Sequence, residues 1–529
     1  MLITQEDKPI IESIKRFYKQ GLTDYHFGPV VLVDSQGKPI GKVKDGDAVI
    51  FCCRRGEREI QLTRAFVDKS FNEFSTKNFK ELDFVIMKLY HEMFKNLPLA
   101  FKSVSLKNTL GEVISKSGLK QARITESEKF AHVTYFFNGG ENRLFPGEVD
   151  IEIPSPKGGS FEEKPELNIS KVTQKLSKLL NQGEHALIAV NFANGDIIGH
   201  LDNRHANIKC AEAIDKHLGI TLQASRSQGY MTMITADHGI LEKMVSSDGS
   251  PSVSHTTNLV PFILIPPKGG SEMPTLKDGG KLADVAPTIL EVIGLPKPQE
   301  MTGQSLLMKP LDENIKKVLL VILDGWGIGH QDLNNPIFMA KTPVMDSLLK
   351  EFPHCAIKAS GEAVGLKPGM KGNSEAGHIN IGAGRVVLQD EVRIEKALKD
   401  GSFYNNEVFL KAIKNARERK GALHLLALLS KKSSHGTMDS PIAILKMAKK
   451  EGLKEVFIHL IFDGRSTKPG SAPHLLSEFE QEMEKIGLGK IVTGIGRGFA
   501  LDRDNNYLEK TKVAYDALVF GKGYIAKET

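Results

Sequence analysis

The chain has 529 residues, 70 of them basic and 64 acidic, with a formal net charge of +6 and 40% apolar side chains. That length exceeds what one hydrophobic core supports, so two or three domains are expected, and so small a charge excess gives no argument for nucleic acid. No apolar run approaches the roughly 20 residues of a bilayer span, and the opening MLITQEDKPIIESIKRFYKQ is charged and lacks the apolar stretch of a signal peptide. A cytoplasmic protein with no membrane contact is expected, its Cys52, Cys53, Cys210 and Cys355 reduced.

In chain order, DAVIFCCRR (47–55) reads as a strand ending in arginines. ITESEKFAHVTYFFNGG (124–140) sets Lys129 just before an aromatic and β-branched run, also read as a strand. HALIAVNFAN (185–194) leads into Asp196, YMTMITADH (230–238) ends in Asp237 and His238, and VLLVILD (318–324) ends in Asp324. Continuous apolar runs of this length suit strands buried on both faces of a parallel sheet. Helical stretches alternate with them at 169–183, 205–223 and 283–294. ALHLLALLS (422–430), EVFIHLIFDGR (455–465) and GKIVTGIGR (489–497) form a second α/β region, to which 47–55 belongs despite its distance along the chain. Loop-rich joints fall at 154–166, 266–280 and 294–317, and no internal repeat is present.

The chemistry concentrates at the ends of these strands, where open α/β sheets place their sites. Asp196 and His200 are spaced to face one ion, Asp237-His238 follows a buried strand directly, and His255 stands in SHTTN, with Asp324 closing the set. Carboxylates and imidazoles in this mixture suit a pair of divalent ions. Ser374 in GNSEAGH (372–378) fits a helix N-cap, and equally a nucleophile. Lys129 fits either a salt bridge to Glu126 or Glu128 or a cation in the site. Arg55, Arg58, Arg465, Arg497 and Arg503 mostly follow apolar strands. Singly each suits a solvated surface, but together they suit a clamp for phosphate and carboxylate. Two ions set against three carboxylates and a serine alkoxide leave the centre near neutral, so a phosphoglycerate would call on these arginines and Lys129.

These motifs resemble those of the cofactor-independent phosphoglycerate mutases, metal-dependent members of the alkaline phosphatase superfamily. The matching segments are ILDGWG, GNSEAGHINIGAGR, DGR, GRGFALDRD, DGDAVIF, RITESEKFAHVTYFFNGG, PSPK, NFANGDIIGH, ITADHG, HTTNLVPF, DVAPTIL and EMTGQSL, spread over nearly the whole chain. Their order is rotated. In the family ILDGWG stands near the N-terminus and EMTGQSL near the C-terminus, whereas here EMTGQSL (300–306) runs through a short joint at 307–317 into ILDGWG. The resemblance implies a circular permutation.

It further implies an α/β fold of two discontinuous domains. The larger, alkaline-phosphatase-like three-layer αβα domain would span 104–388, and a smaller α/β substrate-clamping domain would join 1–103 to 389–529. The implied activity is interconversion of 3-phosphoglycerate and 2-phosphoglycerate through a phosphoserine, by a monomer that needs no bisphosphoglycerate; a related metal-dependent phosphatase or phosphomutase, or a weakly active phosphoglycerate-binding protein, are the alternatives. One ion would be held by Asp196, His200 and His255, the other by Asp324, Asp237, His238 and Ser374. Mn²⁺ is the expected metal, with Mg²⁺, Co²⁺ and Zn²⁺ suited to the same ligands. His435 matches the acid/base histidine, Lys129 a transition-state cation, and Arg55, Arg58, Arg465, Arg497 and Arg503 the substrate-binding arginines. The chain departs from the pattern at Ser466, where an aspartate that positions the glycerate hydroxyls is usual, at Cys52-Cys53-Arg54 and at Ile240.

Overall fold

A computed structural model describes residues 9–54, 56–102, 106–156, 161–246, 248–269, 273–311 and 315–527. Arg55 and residues 312–314 of the expected joint lie outside the described residues. The chain divides into two compact units, a continuous one (Val104–Val392) and a split one (Met1–Ser103 with Arg393–Thr529). Each is built on a seven-stranded sheet.

In chain order the strands are β1 (Val30–Val33), β2 (Ala48–Phe51), β3 (Asp83–Ile86), β4 (Gln121–Glu126), β5 (Glu148–Ile153), β6 (Leu187–Phe192), β7 (Met231–Thr235), β8 (Val260–Ile265), β9 (Val318–Leu323), β10 (His354–Ile357), β11 (Leu423–Leu429), β12 (Val456–Phe462), β13 (Lys490–Gly496) and β14 (Tyr524–Lys527). The continuous unit has the order β10-β8-β7-β9-β6-β4-β5. From β7 to β5 neighbouring strands run parallel, and β8 is antiparallel to both β7 and β10. The split unit has the order β14-β1-β13-β12-β11-β2-β3, parallel from β13 to β3, with β1 antiparallel to β13. The protein is thus α/β with two mainly parallel sheets.

Burial explains why the central strands are so apolar. All six residues of β9, VLLVIL, are wholly buried, because helices cover both faces of a parallel sheet. In the split unit the two faces have separate cores. Leu423, Leu425 and Ala427 of β11 point into one and Leu426 and Leu428 into the other, the alternation a strand imposes.

One expected strand is absent. Residues His132–Phe136 form a π-helix, closed by the Phe137 amide, which donates to the His132 carbonyl at 3.1 Å. Val133 and Phe137, four apart, are buried while Tyr135 is exposed. The segment therefore buries its aromatic and β-branched residues at helical spacing, and composition alone misassigns it.

Candidate metal centre and active site

The strand ends of the continuous unit deliver their polar residues to one place. Asp324 follows β9, Asp237 and His238 follow β7, Asp196 lies on the short helix Asn194–Gly199 after β6, and Lys129 ends a single turn after β4. His255 joins them from just ahead of β8, since an antiparallel strand begins at the end where its neighbours finish. Ser374 opens the helix Ser374–Ala383, capped by Asn373, whose side chain accepts from the Ala376 amide at 2.8 Å. Ser374 is therefore the first residue inside the helix, and the cap is its neighbour.

Lys129 is at the centre. Its Nζ donates to Asp196 Oδ2 (2.7 Å), Asp324 Oδ1 (2.9 Å) and Ser374 Oγ (2.7 Å). Lys129 thus pairs with the site carboxylates. Ser374 Oγ also lies 2.9 Å from His238 Nε2 and 3.4 Å from Asp324 Oδ1. Since the serine oxygen accepts from lysine, its own proton is free to point to the imidazole. Burial alone would depress the Lys129 ammonium, but Asp324, Asp196 and Asp237 outweigh it and hold its pKa above the ordinary value. Burial raises the Asp324 carboxyl, reinforced by Asp237, whereas Asp237 is held low against its own burial by His238, His378 and Lys129.

These residues fit a divalent-cation centre. Asp196 Oδ1 and Asp237 Oδ2 are buried without a well-formed hydrogen bond. Each instead faces imidazole nitrogens: Asp196 Oδ1 faces His255, His200 and His238 at 3.0, 3.4 and 3.6 Å, and Asp237 Oδ2 faces His238 and His378 at 3.4 Å. The other ring nitrogen of each of three histidines meets a backbone carbonyl: His200 Nδ1 with Val253 at 2.9 Å, His255 Nδ1 with Gly372 at 2.8 Å, and His238 Nδ1 with Gly239 at 3.4 Å. Each carbonyl calls for a proton on Nδ1 and turns the three Nε2 atoms inward, the usual arrangement of metal-ligating histidines. Two groups of donors converge, Asp196–His238–His255 and Asp237–His238–Asp324, with His238 common to both. His200 stands at the rim, its side chain 45% exposed.

The remaining candidates lie in the split unit, again at strand ends. His435 follows β11, Arg465 and Ser466 follow β12, and Arg497 follows β13. Arg497 is buried and pairs with Asp463 at 2.5 Å, and buried Arg58 donates to the Leu501 carbonyl at 3.1 Å. Arg503 is half-exposed and pairs with Glu57 at 2.5 Å. Arg465 is exposed, 5.9 Å from the Tyr25 ring centre. Exposed Ser466 lies 3.4 Å from Ser433 Oγ, and buried His435 has Nδ1 3.6 Å from Glu59 Oε1. The four described arginines therefore split into a buried and an exposed pair.

Sequence reasoning missed Asn191 and His378 in the continuous unit and Arg54, Glu59 and Asp463 in the split one, all buried. A signal existed for Asn191, since a polar residue inside the apolar run LIAVNF needs a partner.

Comparison with known proteins accords with this geometry. Residues 63–297 match the Metalloenzyme superfamily, a stretch that runs from the split unit into the continuous one. The matched stretch is thus of a metalloenzyme class. Residues 2–92 and 394–529 match the family described as BPG-independent PGAM N-terminus. The two matches together take in most of the chain, a Metalloenzyme-superfamily region and a BPG-independent PGAM N-terminus region, and the curated relatives it resembles are 2,3-bisphosphoglycerate-independent phosphoglycerate mutases. The relative in Methanosarcina acetivorans, "2,3-bisphosphoglycerate-independent phosphoglycerate mutase 1", is 44% identical over 298 residues, 56% of this chain and 57% of that protein. The Thermosynechococcus vestitus 2,3-bisphosphoglycerate-independent phosphoglycerate mutase is 42% identical over 305 residues, 56% of each chain. The chain thus spans little more than half the length of the curated relatives it matches. A solved structure of Leishmania mexicana phosphoglycerate mutase at low cobalt concentration is similar at 29% identity and a TM-score of 0.42, over 56% of this chain and 57% of that one. No helix among the described residues is long and apolar enough to cross a membrane.

Proposed function

We propose that the protein interconverts 3-phosphoglycerate and 2-phosphoglycerate through a phosphoserine at Ser374, without bisphosphoglycerate. The observation that carries this reading is Ser374 Oγ at 2.7 Å from Lys129 Nζ and 2.9 Å from His238 Nε2, beside two groups of acid and imidazole donors. Two divalent ions held by Asp196, His200 and His255 and by Asp237, His238, Asp324 and Ser374, with Mn²⁺ the first choice, would lower the serine hydroxyl's pKa and neutralise charge on the phosphoryl oxygens.

Ser374 Oγ attacks the phosphorus in line, and the Oγ–P bond forms as the bond to the C3 oxygen of the glycerate breaks. The Lys129 ammonium, fully buried, faces charge that grows on the transferring phosphoryl group, where a fixed cation in a dry site acts strongly. The departing C3 oxygen takes a proton. The C2 hydroxyl then gives up its own and attacks the phosphoserine, which restores the free serine. For the split unit we propose glycerate binding, with Arg55, Arg58, Arg465, Arg497 and Arg503 as guanidinium donors, Ser466 as a hydroxyl contact and His435 exchanging protons with the glycerate hydroxyls. We read the motif order as a circular permutation. This reading is supported by β9, which follows the joint yet lies between β6 and β7, which precede it.

The test is 2-phosphoglycerate formation from 3-phosphoglycerate with added Mn²⁺ and no bisphosphoglycerate. Turnover that disappears in Ser374→Ala supports the proposal. Appreciable turnover in that variant overturns the phosphoserine route. Free phosphate without 2-phosphoglycerate points to a phosphatase, and binding without turnover to a phosphoglycerate sensor.

A further inference from the structure

Behind the donors lies a pair of residues to which the steps above give no role. Asn191 is the fifth residue of β6, fully buried in an otherwise apolar strand. Its Nδ2 is 2.6 Å from Asp324 Oδ2 and 3.0 Å from His378 Nε2. His378, also fully buried, has Nδ1 2.9 Å from the Ser374 carbonyl and 3.4 Å from Asp237 Oδ2.

Donor and acceptor counting fixes the direction of every bond. The Ser374 carbonyl and the Asp237 carboxylate only accept, so His378 carries its proton on Nδ1. Its Nε2 then holds the lone pair and must receive a hydrogen. Among the described residues the donor placed to supply it is the Asn191 amide nitrogen, whose other hydrogen goes to Asp324. Both hydrogens of one NH₂ group are thereby committed, and the amide orientation is settled as well, because the reverse flip would set a carbonyl oxygen against a carboxylate.

We propose that Asn191 and His378 are positioning residues for the cation centre and the serine. Asn191 ties down Asp324 Oδ2 and so leaves Oδ1 as the oxygen that faces Lys129 at 2.9 Å and Ser374 Oγ at 3.4 Å. His378 returns from the second turn of the helix Ser374–Ala383 to hold the carbonyl of Ser374 itself. One hydrogen-bonded chain thus sets a carboxylate on β9 and the serine-bearing helix relative to each other. Neither residue reaches the reacting atoms, and a side chain free to choose either carboxylate oxygen binds a cation less well. The inference rests on the proposed divalent-cation centre at Asp196, Asp237, His238, His255 and Asp324.

The test is Co²⁺ titration of the ion-free full-length protein, followed by visible absorption and calorimetry, in the parent, Asn191→Ala and His378→Asn. Loss of such supporting contacts costs metal affinity about 10–100-fold. The expected result is a fall of that size for at least one ion, with a changed Co²⁺ absorption band, in ion-free protein that still melts cooperatively but at a lower temperature than the parent, since buried hydrogen bonds are lost. His378→Asn, which keeps a donor toward the Ser374 carbonyl but removes the acceptor for Asn191, should lie between the other two and serves alone if Asn191→Ala does not fold. Isotherms and spectra that overlay the parent's would overturn the inference while leaving the metal centre standing. A parent that binds no Co²⁺ would overturn both.

Discussion

Gly377 offers a sharp test of how closely the helix that carries Ser374 must sit. It lies on the first turn of the helix Ser374–Ala383, and a Cβ there would stand 2.6 Å from both Cβ and O of Asp237. Ordinary contacts between carbon atoms are about 3.5–4.0 Å, so in Gly377→Ala the helix and the strand end must part by about 1 Å. The Ser374 Oγ contacts to Lys129 and His238, 2.7 and 2.9 Å, then lengthen past the roughly 3.2 Å limit of a useful hydrogen bond. A misplacement of about 1 Å costs on the order of 10²-fold in rate, or about 2.7 kcal/mol of transition-state stabilisation. Overpacking costs the fold about 1–3 kcal/mol separately. Steady-state turnover of 3-phosphoglycerate with saturating Mn²⁺ reads the first effect and thermal melting reads the second. A folded Gly377→Ala protein within about threefold of the parent kcat would refute the argument, since the serine would then tolerate the displacement.

Lys129→Met removes the cation between two buried carboxylates, so ion-free protein should lose about 3–5 kcal/mol; added Mn²⁺ should restore more stability to the variant than to the parent, as melting curves with and without metal would show. Arg497→Lys keeps the charge beside Asp463 but loses the guanidinium fork, and the KM for 3-phosphoglycerate should rise about 10–100-fold, the equivalent of a charged hydrogen bond; an unchanged KM would remove Arg497 from substrate binding. In the split unit, His459 accepts a hydrogen bond from Thr493 at 2.8 Å and meets His424 at 2.9 Å, with Asp47 3.0 Å beyond. Burial pushes the His459 imidazole well below its ordinary 6.5, with His424 adding to the effect. The unfolded chain therefore binds a proton that the folded one refuses, so this stability is present above pH 6.5 and lost as pH falls below it. The slope is at most about 1.4 kcal/mol per pH unit, and His459→Gln should flatten denaturant midpoints measured between pH 7 and 5.

The fold class could be read from sequence because the central strands bury both faces. VLLVIL in β9 and LHLLALL in β11 have no polar position to obscure them. The edges gave no such signal. EVDIEI in β5 exposes or half-exposes five of its six residues and reads as polar, and four-residue strands such as β14 fall below any usable period. The π-helix at His132–Phe136 was hidden by residues that usually favour strands, and only its buried Val133 and Phe137 reveal the helical spacing. At the candidate site the same logic holds. Residues directly after an apolar run were visible because the run points to them. Asn191 offered only the signal of a polar residue in an apolar run and His378 none, because each lies inside an element, where a sequence pattern cannot say which neighbour a buried polar group meets.

That contrast has a mechanical basis. A strand end in a parallel sheet is held by hydrogen bonds on both sides, so the residue after it leaves from a backbone that hardly moves. Asp324, Asp237 and Asp196 follow the three adjacent strands β9, β7 and β6, and their backbones are spaced by the sheet before any side-chain contact forms. The sheet does not set which carboxylate oxygen turns inward, because a carboxyl group rotates freely about its last bond. Something must break the symmetry of each carboxylate. For Asp237, the His238 and Gly325 amides take Oδ1 at 3.0 and 3.2 Å, and Gly325 needs φ +81° to offer its N–H there. For Asp324 the Asn191 amide takes Oδ2. For Asp196, Lys129 takes Oδ2. Asp237 and Asp196 thus have one oxygen satisfied by the protein and the other aimed at the centre, while the inward oxygen of Asp324 meets Lys129 at 2.9 Å. The buried oxygens of Asp237 and Asp196 that lack a well-formed hydrogen bond follow from that division: a polar group left without one in a dry interior costs about 1–3 kcal/mol, and a cation is the partner that would recover it.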